Sequence, residues 1–198
     1  MEVLPIYLTK VNGIVILKNR TPSVFADGAW EVHMQRVFSL IVDNNPGVLS
    51  RISGLFTRRG YSIDSISAGV TADPRFTRIT IVAQGDELIL SQIEKQVAKL
   101  EEIRRVKVLK PEDSVYRELI MVKVKANKAE RAEIISVVDI FRAKVVDVEK
   151  ESLMVEMTGA QSKIEAFLNM LDGYEILELA RTGITALSRG CDDVAWFD

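Results

Sequence analysis

The chain predicts an α+β protein made of two consecutive ferredoxin-like βαββαβ domains. Each is a four-stranded antiparallel sheet with two helices on one face. Three observations predict it. Apolar residues alternate between strand-like and helical spacing from residue 36 to residue 179. The same order of six elements occurs on both sides of the polar, proline-bearing segment Lys110-Pro111-Glu112-Asp113. Turn and cap residues stand where one spacing gives way to the next.

In the first unit, Val37-Phe38-Ser39-Leu40-Ile41-Val42 is a β-rich apolar run that predicts a strand over 36–42. Val48, Leu49, Ile52, Leu55 and Phe56 then recur at helical spacing, which predicts a helix over 46–58 with Asn44 or Asn45 as its cap. Arg58-Arg59-Gly60 closes it, with cations at the negative end and a glycine suited to the left-handed cap. Tyr61–Val70 reads as a strand, Thr71-Ala72-Asp73-Pro74-Arg75 as a turn, and 76–84 as the returning strand. Asp86 caps a second helix with the stripe Leu90, Ile93, Val97 and Leu100, and Val106–Leu109 is the last strand.

The second unit repeats the order. Leu119–Val124 is a strand, and 128–141 is a helix that buries Ile134, Ile135, Val138 and Phe141. Lys144–Val148 and Leu153–Thr158 form a hairpin. A helix over 160–171 follows, and Tyr174–Leu179 closes the unit. The expected divisions are an extension at 1–33, domains at 34–110 and 116–182, a linker at 111–115 and a tail at 183–198 without a fold-level reason to be structured. The extension is expected to be partly disordered or loosely packed as an added strand. A sheet with helices on one face leaves its other face and its edges needing cover, so a dimer is expected.

With 198 residues, 47% apolar and 27% charged, the chain can build a real core, and a formal net charge of −2 argues against nucleic-acid or anionic-membrane partners. There is one cysteine, Cys191, and one histidine, His33. No internal disulfide, Cys/His metal site or convincing Ser-His or Cys-His pair can be assembled from them. No apolar run approaches the roughly 20 residues needed to span a bilayer. The expected location is cytoplasmic.

The most informative stretch is Asp43-Asn44-Asn45-Pro46-Gly47-Val48-Leu49-Ser50-Arg51, between the first strand and first helix. Gly47 has no Cβ, so a ligand can approach the backbone closely. The free N–H groups of the first helical turn face a small anion at the positive end of the helix dipole. A neighbouring side-chain amide can hydrogen-bond the same ligand. That is a seat for an α-amino acid, with no catalytic group beside it. Asp43 and Asp64 read equally as ends of such a site or as turn and strand-end carboxylates, and Arg51 as a surface charge.

Asp-Asn-x-Pro-Gly-Val-Leu at the first strand-to-helix turn resembles an ACT domain, the amino-acid-sensing module of many metabolic enzymes. Further segments resemble the small regulatory subunit of acetolactate synthase: Ser50–Tyr61, Thr80-Ile81-Val82, Gln92–Gln96, Arg117-Glu118-Leu119, Ile140–Ala143, Ala180–Ile184 and Leu187–Gly190. The resemblance covers about residues 34–190. It implies a chain that is non-catalytic by itself, partnered by a large subunit that binds thiamine diphosphate, FAD and Mg²⁺, with no cofactor in this chain. It also implies feedback inhibition by a branched-chain amino acid, usually valine, held between two ACT domains. Residues matching Asn44, Gly47, Val48 and Leu49 come from one domain, and Ser62, Ile63 and Asp64 from the other. Family members often carry Asn where this chain has Ser62, which shortens the reach of one polar contact. Met34-Gln35-Arg36-Val37 looks like an ordinary start for such subunits, so the extension reads as the product of an upstream start codon.

The alternative of another class is a free-standing ACT-domain sensor acting on transcription or transport. The absence of a helix-turn-helix pattern and of a basic face argues against direct DNA binding. An enzyme in its own right lacks an evident acid–base pair or nucleophile in the sequence.

Overall fold

Six consecutive residues, Val37 to Val42, are buried, as a central strand covered on both faces requires. The computed structural model describes residues 9–11, 14–16 and 34–191. Thr9–Val11 (β1) and Ile14–Ile16 (β2) pair antiparallel with each other. The remaining expectations for 1–33 lie outside the described residues. The central strand is Met34–Asp43 (β3), followed by helix Val48–Arg59 (α1), strands Ser62–Val70 (β4) and Phe76–Gly85 (β5), helix Glu87–Val97 (α2) and strand Ile103–Leu109 (β6). The sheet is antiparallel in the order β4-β5-β3-β6. Phe38, Leu40 and Val42 point to one face, where Ile52 and Phe56 of α1 and Leu90 and Ile93 of α2 cover them.

The caps follow the sequence in two of three cases. Gly60 closes α1 in the left-handed conformation, and the Asp86 Oδ1 accepts the Ile89 N–H at 2.7 Å at the start of α2. The expected cap of α1 differs. The helix begins at Val48, its N-cap is Gly47 at φ +86°, and no side chain caps it.

The second series runs Ser114–Lys125 (β7), Glu130–Phe141 (α3), Lys144–Val148 (β8), Ser152–Gly159 (β9), Gln161–Met170 (α4) and Ile176–Arg181 (β10). Its strand order is β10-β7-β9-β8, and Ile120, Val122 and Val124 of β7 pack with Ile134, Val138, Ile164 and Phe167 of the helices. Both units therefore have the expected four-stranded, two-helix layout. The polar connection contracts to a turn in which Asp113 N–H donates to the Lys110 carbonyl at 3.2 Å, and β7 already begins at Ser114.

The compact units divide the chain at Arg117/Glu118 and again at Thr182/Gly183, and the described residues after Thr182 belong with the first unit. For the described residues 183–191 this differs from the expectation of a tail without a fold-level reason to be structured. Thr185–Ser188 (β11) pairs antiparallel with Ser114–Arg117, and Ile184 and Ala186 are buried against Val37, Val82 and Leu109. These three residues form the face of the first sheet turned away from its helices. Ser65 and Ser67 of β4 hold the segment. The Ser67 hydroxyl donates to the Ile184 carbonyl at 3.0 Å, and the Ile184 N–H donates to Ser65 Oγ at 3.3 Å. Gly183, at φ +75°, lies so close that a Cβ there would fall 2.9 Å from the Ser65 Cβ. The physical reason is cover: an apolar sheet face costs free energy in water, and this chain supplies its own lid.

Ile184→Ala should therefore lower stability by about 2–4 kcal/mol, as large-to-small changes in a packed core do. Urea melts of the full chain would measure it. An unchanged midpoint would mean that the segment is not part of the core.

Candidate functional site

The chain leaves β3 through three backbone contacts. Asp43 N–H donates to the Glu102 carbonyl at 2.9 Å, Asn44 N–H to the Arg75 carbonyl at 2.8 Å, and Asn45 N–H to the Asp43 carbonyl at 2.8 Å. The backbone then passes through Gly47 into α1, whose first bond runs from Arg51 N–H to the Gly47 carbonyl at 3.0 Å. The N–H groups of Val48, Leu49 and Ser50 thus have no acceptor within the helix, no acidic residue stands in the first turn, and the space over Gly47 is open to 4 Å around a notional Cβ. Several uncompensated donors and the dipole favour an anionic group there. Val48 itself is buried in the helix-side core, so only its N–H faces the turn, whereas the Leu49 side chain is 48% exposed.

Asn44 does not cap the helix. Its side chain turns to the β4–β5 connection instead, where Nδ2 donates to the Pro74 carbonyl at 3.0 Å and Oδ1 accepts the Thr77 hydroxyl at 3.0 Å. That connection is itself well tied. The Thr71 hydroxyl donates to the Asp73 carbonyl at 2.8 Å, and Asp73 Oδ1 accepts both the backbone N–H (2.9 Å) and Nε (3.0 Å) of Arg75. The Arg75 side chain and then its backbone N–H hold the Asp73 carboxyl below its ordinary range. Asp43 is engaged by Arg104, whose Nε donates to it at 2.7 Å, and Arg51 pairs with Glu102 on the surface.

Ser62, Ile63 and Asp64 open β4. Ser62 is exposed, Ile63 packs on the edge of the core, and Asp64 Oδ2 accepts Gln84 Nε2 at 2.6 Å and Gln35 Nε2 at 3.2 Å. Beside them lies an open groove of about 440 Å³ lined by Arg59, Tyr61, Ser62, Gln84, Ile89 and Gln92, among others.

The register decides how these pieces relate. Asp43 stands opposite Phe76, and Val70 opposite Thr77, so the Asn44–Leu49 turn lies at the Val70 end of the sheet. Ser62 stands opposite Gln84 and Met34 opposite Gly85, at the other end. The nine residues of β4 separate the two groups by roughly 25 Å at about 3.3 Å per residue. One chain therefore holds the two predicted halves apart. Pro74 and Thr77 had no signal of their own in the sequence, because they reach Asn44 across 30 and 33 positions. Among the described residues no group of three or more His, Cys, Asp or Glu could hold a metal ion, and no helix is long and apolar enough to cross a membrane.

A βαββαβ fold with a glycine-opened helix start at its first strand-to-helix turn defines a class of domain, the ACT type. Comparison with known proteins makes it specific. Residues 38–105 match the model of the AHAS small subunit-like ACT domain, and residues 117–190 match that of the small subunit of acetolactate synthase. A probable acetolactate synthase small subunit from Methanothermobacter thermautotrophicus is 50% identical over 155 residues, 78% of this chain and 92% of that one. The small subunit of acetolactate synthase isozyme 3 from Salmonella typhimurium is 42% identical, covering 79% and 97%. A crystal structure of the small subunit from Thermotoga maritima aligns with TM-score 0.75 at 41% identity, covering 79% of this chain and 98% of that one. The chain belongs to the acetolactate synthase small-subunit family.

Two outcomes follow from the turn. Asn44→Ala removes two hydrogen bonds and should cost about 1–2 kcal/mol even without ligand, read by thermal melting. Because Asp73 is held below its ordinary pKa, its contribution is full above that value and is lost as the pH falls through the folded value. Arg75→Gln should let the Asp73 carboxyl titrate nearer its ordinary range, as followed by NMR.

Proposed function

We propose that this chain is the regulatory partner of a catalytic acetolactate synthase large subunit, which carries thiamine diphosphate, FAD and Mg²⁺. It binds a branched-chain amino acid, valine first among them, and transmits feedback inhibition. The observation that carries the reading is the uncapped start of α1 at Gly47, with unpaired N–H groups, open space and an exposed Leu49 beside it. The N–H groups of Val48 and Leu49 take the carboxylate, Asn44 a polar edge, and Leu49 the apolar side chain.

The seat is completed by a second copy. Among the described residues β4 pairs with β5 alone, which leaves its outer edge open, and Ile66 and Val70 on it are 37% and 61% exposed. Antiparallel pairing of two β4 edges about a two-fold axis brings Ser62-Ile63-Asp64 of one copy to the Val70 end of the other, next to its Asn44–Leu49 turn. Ile63 then meets the ligand side chain. The effector stabilises that pairing, and a coupling of about 1–3 kcal/mol to the large subunit is enough for inhibition. A ligand this small supports a Kd in the micromolar to millimolar range, about −4 to −8 kcal/mol.

Gly47→Asp tests the seat. With open space around the Cβ, the change adds no clash beyond the strain of a left-handed aspartate, about 1–2 kcal/mol, so the fold should survive. The added carboxylate repels that of the ligand, so the rise in melting temperature with L-valine, L-leucine or L-isoleucine and the inhibition of the assembled enzyme should both vanish. Undiminished inhibition would remove this turn from the site.

A further inference from the structure

We propose that Thr77 is a positioning residue of the effector seat. Its hydroxyl fixes the Asn44 amide so that Oδ1 is presented to the ammonium of the bound amino acid. The seat thereby selects an α-amino acid over the 2-oxo acid of the same carbon skeleton. This rests on the reading of the Asn44–Leu49 turn as that seat.

The orientation of the amide follows from its neighbours. The Pro74 carbonyl can only accept, so the Asn44 atom 3.0 Å from it is the nitrogen. The oxygen then faces Thr77 Oγ1, also at 3.0 Å, and the hydroxyl donates to it. Flipping the amide would set its oxygen against the Pro74 oxygen, so the pair of contacts admits one orientation. Pro74 sits in the β4–β5 turn and Thr77 in β5, and the backbone N–H of Asn44 is tied to Arg75 of the same turn at 2.8 Å. The brace is therefore built on paired structure rather than on the loop itself.

Hydrogen-bond capacity then assigns the ligand groups. A primary amide has two donor hydrogens and two acceptor lone pairs. Pro74 uses one hydrogen and Thr77 one lone pair, which leaves one of each for a ligand. The carboxylate of an amino acid is served by the N–H groups at the start of α1. Its ammonium needs an acceptor, and the first turn of α1 carries no acidic side chain. Asp43 is engaged by Arg104, and exposed Asn45 has no side-chain hydrogen bond among the described residues to orient its amide. The braced Oδ1 of Asn44 is the side-chain amide oxygen of the turn that is held in a fixed orientation with a lone pair to spare. A 2-oxo acid has the same carboxylate and side chain but no ammonium, so it leaves that oxygen unused. Discrimination by a site built to hydrogen-bond a group is strong when the group is missing.

The test is direct binding to the full-length chain of two probes, L-valine and 3-methyl-2-oxobutanoate, by calorimetry or thermal shift. The wild type should bind valine at least about a hundredfold more tightly than the oxo acid. Thr77→Val should weaken valine about tenfold and leave the oxo acid within about twofold, because only the ammonium contact is loosened. Thr77→Ser keeps the hydroxyl and should restore wild-type valine affinity. Equal losses for both probes in Thr77→Val would reduce Thr77 to a structural residue and overturn the proposal. So would unaltered valine binding in that variant, or wild-type binding of both probes alike. In those cases Gly47→Asp still reports on the seat: loss of valine binding there keeps the seat while the Thr77 assignment fails. A wild-type chain that binds neither probe overturns the seat and this inference together.

Discussion

Burial of β3 on both faces is the constraint on which the first unit depends. A strand carrying Phe38, Leu40 and Val42 on one side and Val37, Ser39 and Ile41 on the other must be covered twice. Helices α1 and α2 supply one cover. The other comes from Ile184 and Ala186, with Tyr116 packed beside them. Buried Ser39 is the polar exception, and it is matched by Arg78, whose Nη1 donates to its hydroxyl at 3.0 Å. With these faces covered by the chain itself, the sheet keeps two edges unpaired among the described residues, β4 and β6, and the proposed dimer uses the one at β4.

The same strand carries two functions at different places. Its middle, at Ser65 and Ser67, holds the C-terminal segment, and its first residues, Ser62 to Asp64, belong to the proposed effector site. The antiparallel register keeps those residues away from the Gly47 turn of their own chain. A ligand that needs both ends then reports on association of two copies, which is how a small molecule with few atoms can influence a large assembly. The turn itself is made rigid from a distance. Asn44, at the end of β3, is braced by the β4–β5 connection, and that connection is tied internally through Thr71, Asp73 and Arg75.

Periodicity and caps made most of the fold legible. The apolar run in 37–42, the alternation in 76–84 and the stripe Leu90, Ile93 and Val97 depend on neighbours a few residues apart, so local chemistry reveals them. Asp86 and Gly60 act as caps for the same reason. Asn44 is the instructive failure. An Asn before a helix suggests a cap, but two partners 30 and 33 positions away compete for its amide and win. The segment 184–188 was missed on similar grounds. Its strand is only four residues long, too short for a periodic signal, and its burial comes from a sheet built by distant residues.

The sequence by itself determined the class of fold, the repeat of two β-α-β-β-α-β units and the family, and it pointed to the turn proposed as the ligand seat. Each of these is encoded by residues close together in the chain or by ordered motifs along it. Tertiary structure alone decided three other matters: which side chains hold Asn44, that residues 184–186 close the outer face of the first sheet, and that the two halves of the proposed site lie at opposite ends of β4. Those depend on register and on contacts across tens of positions. No local propensity or spacing carries that information, because it exists only once the strands are paired.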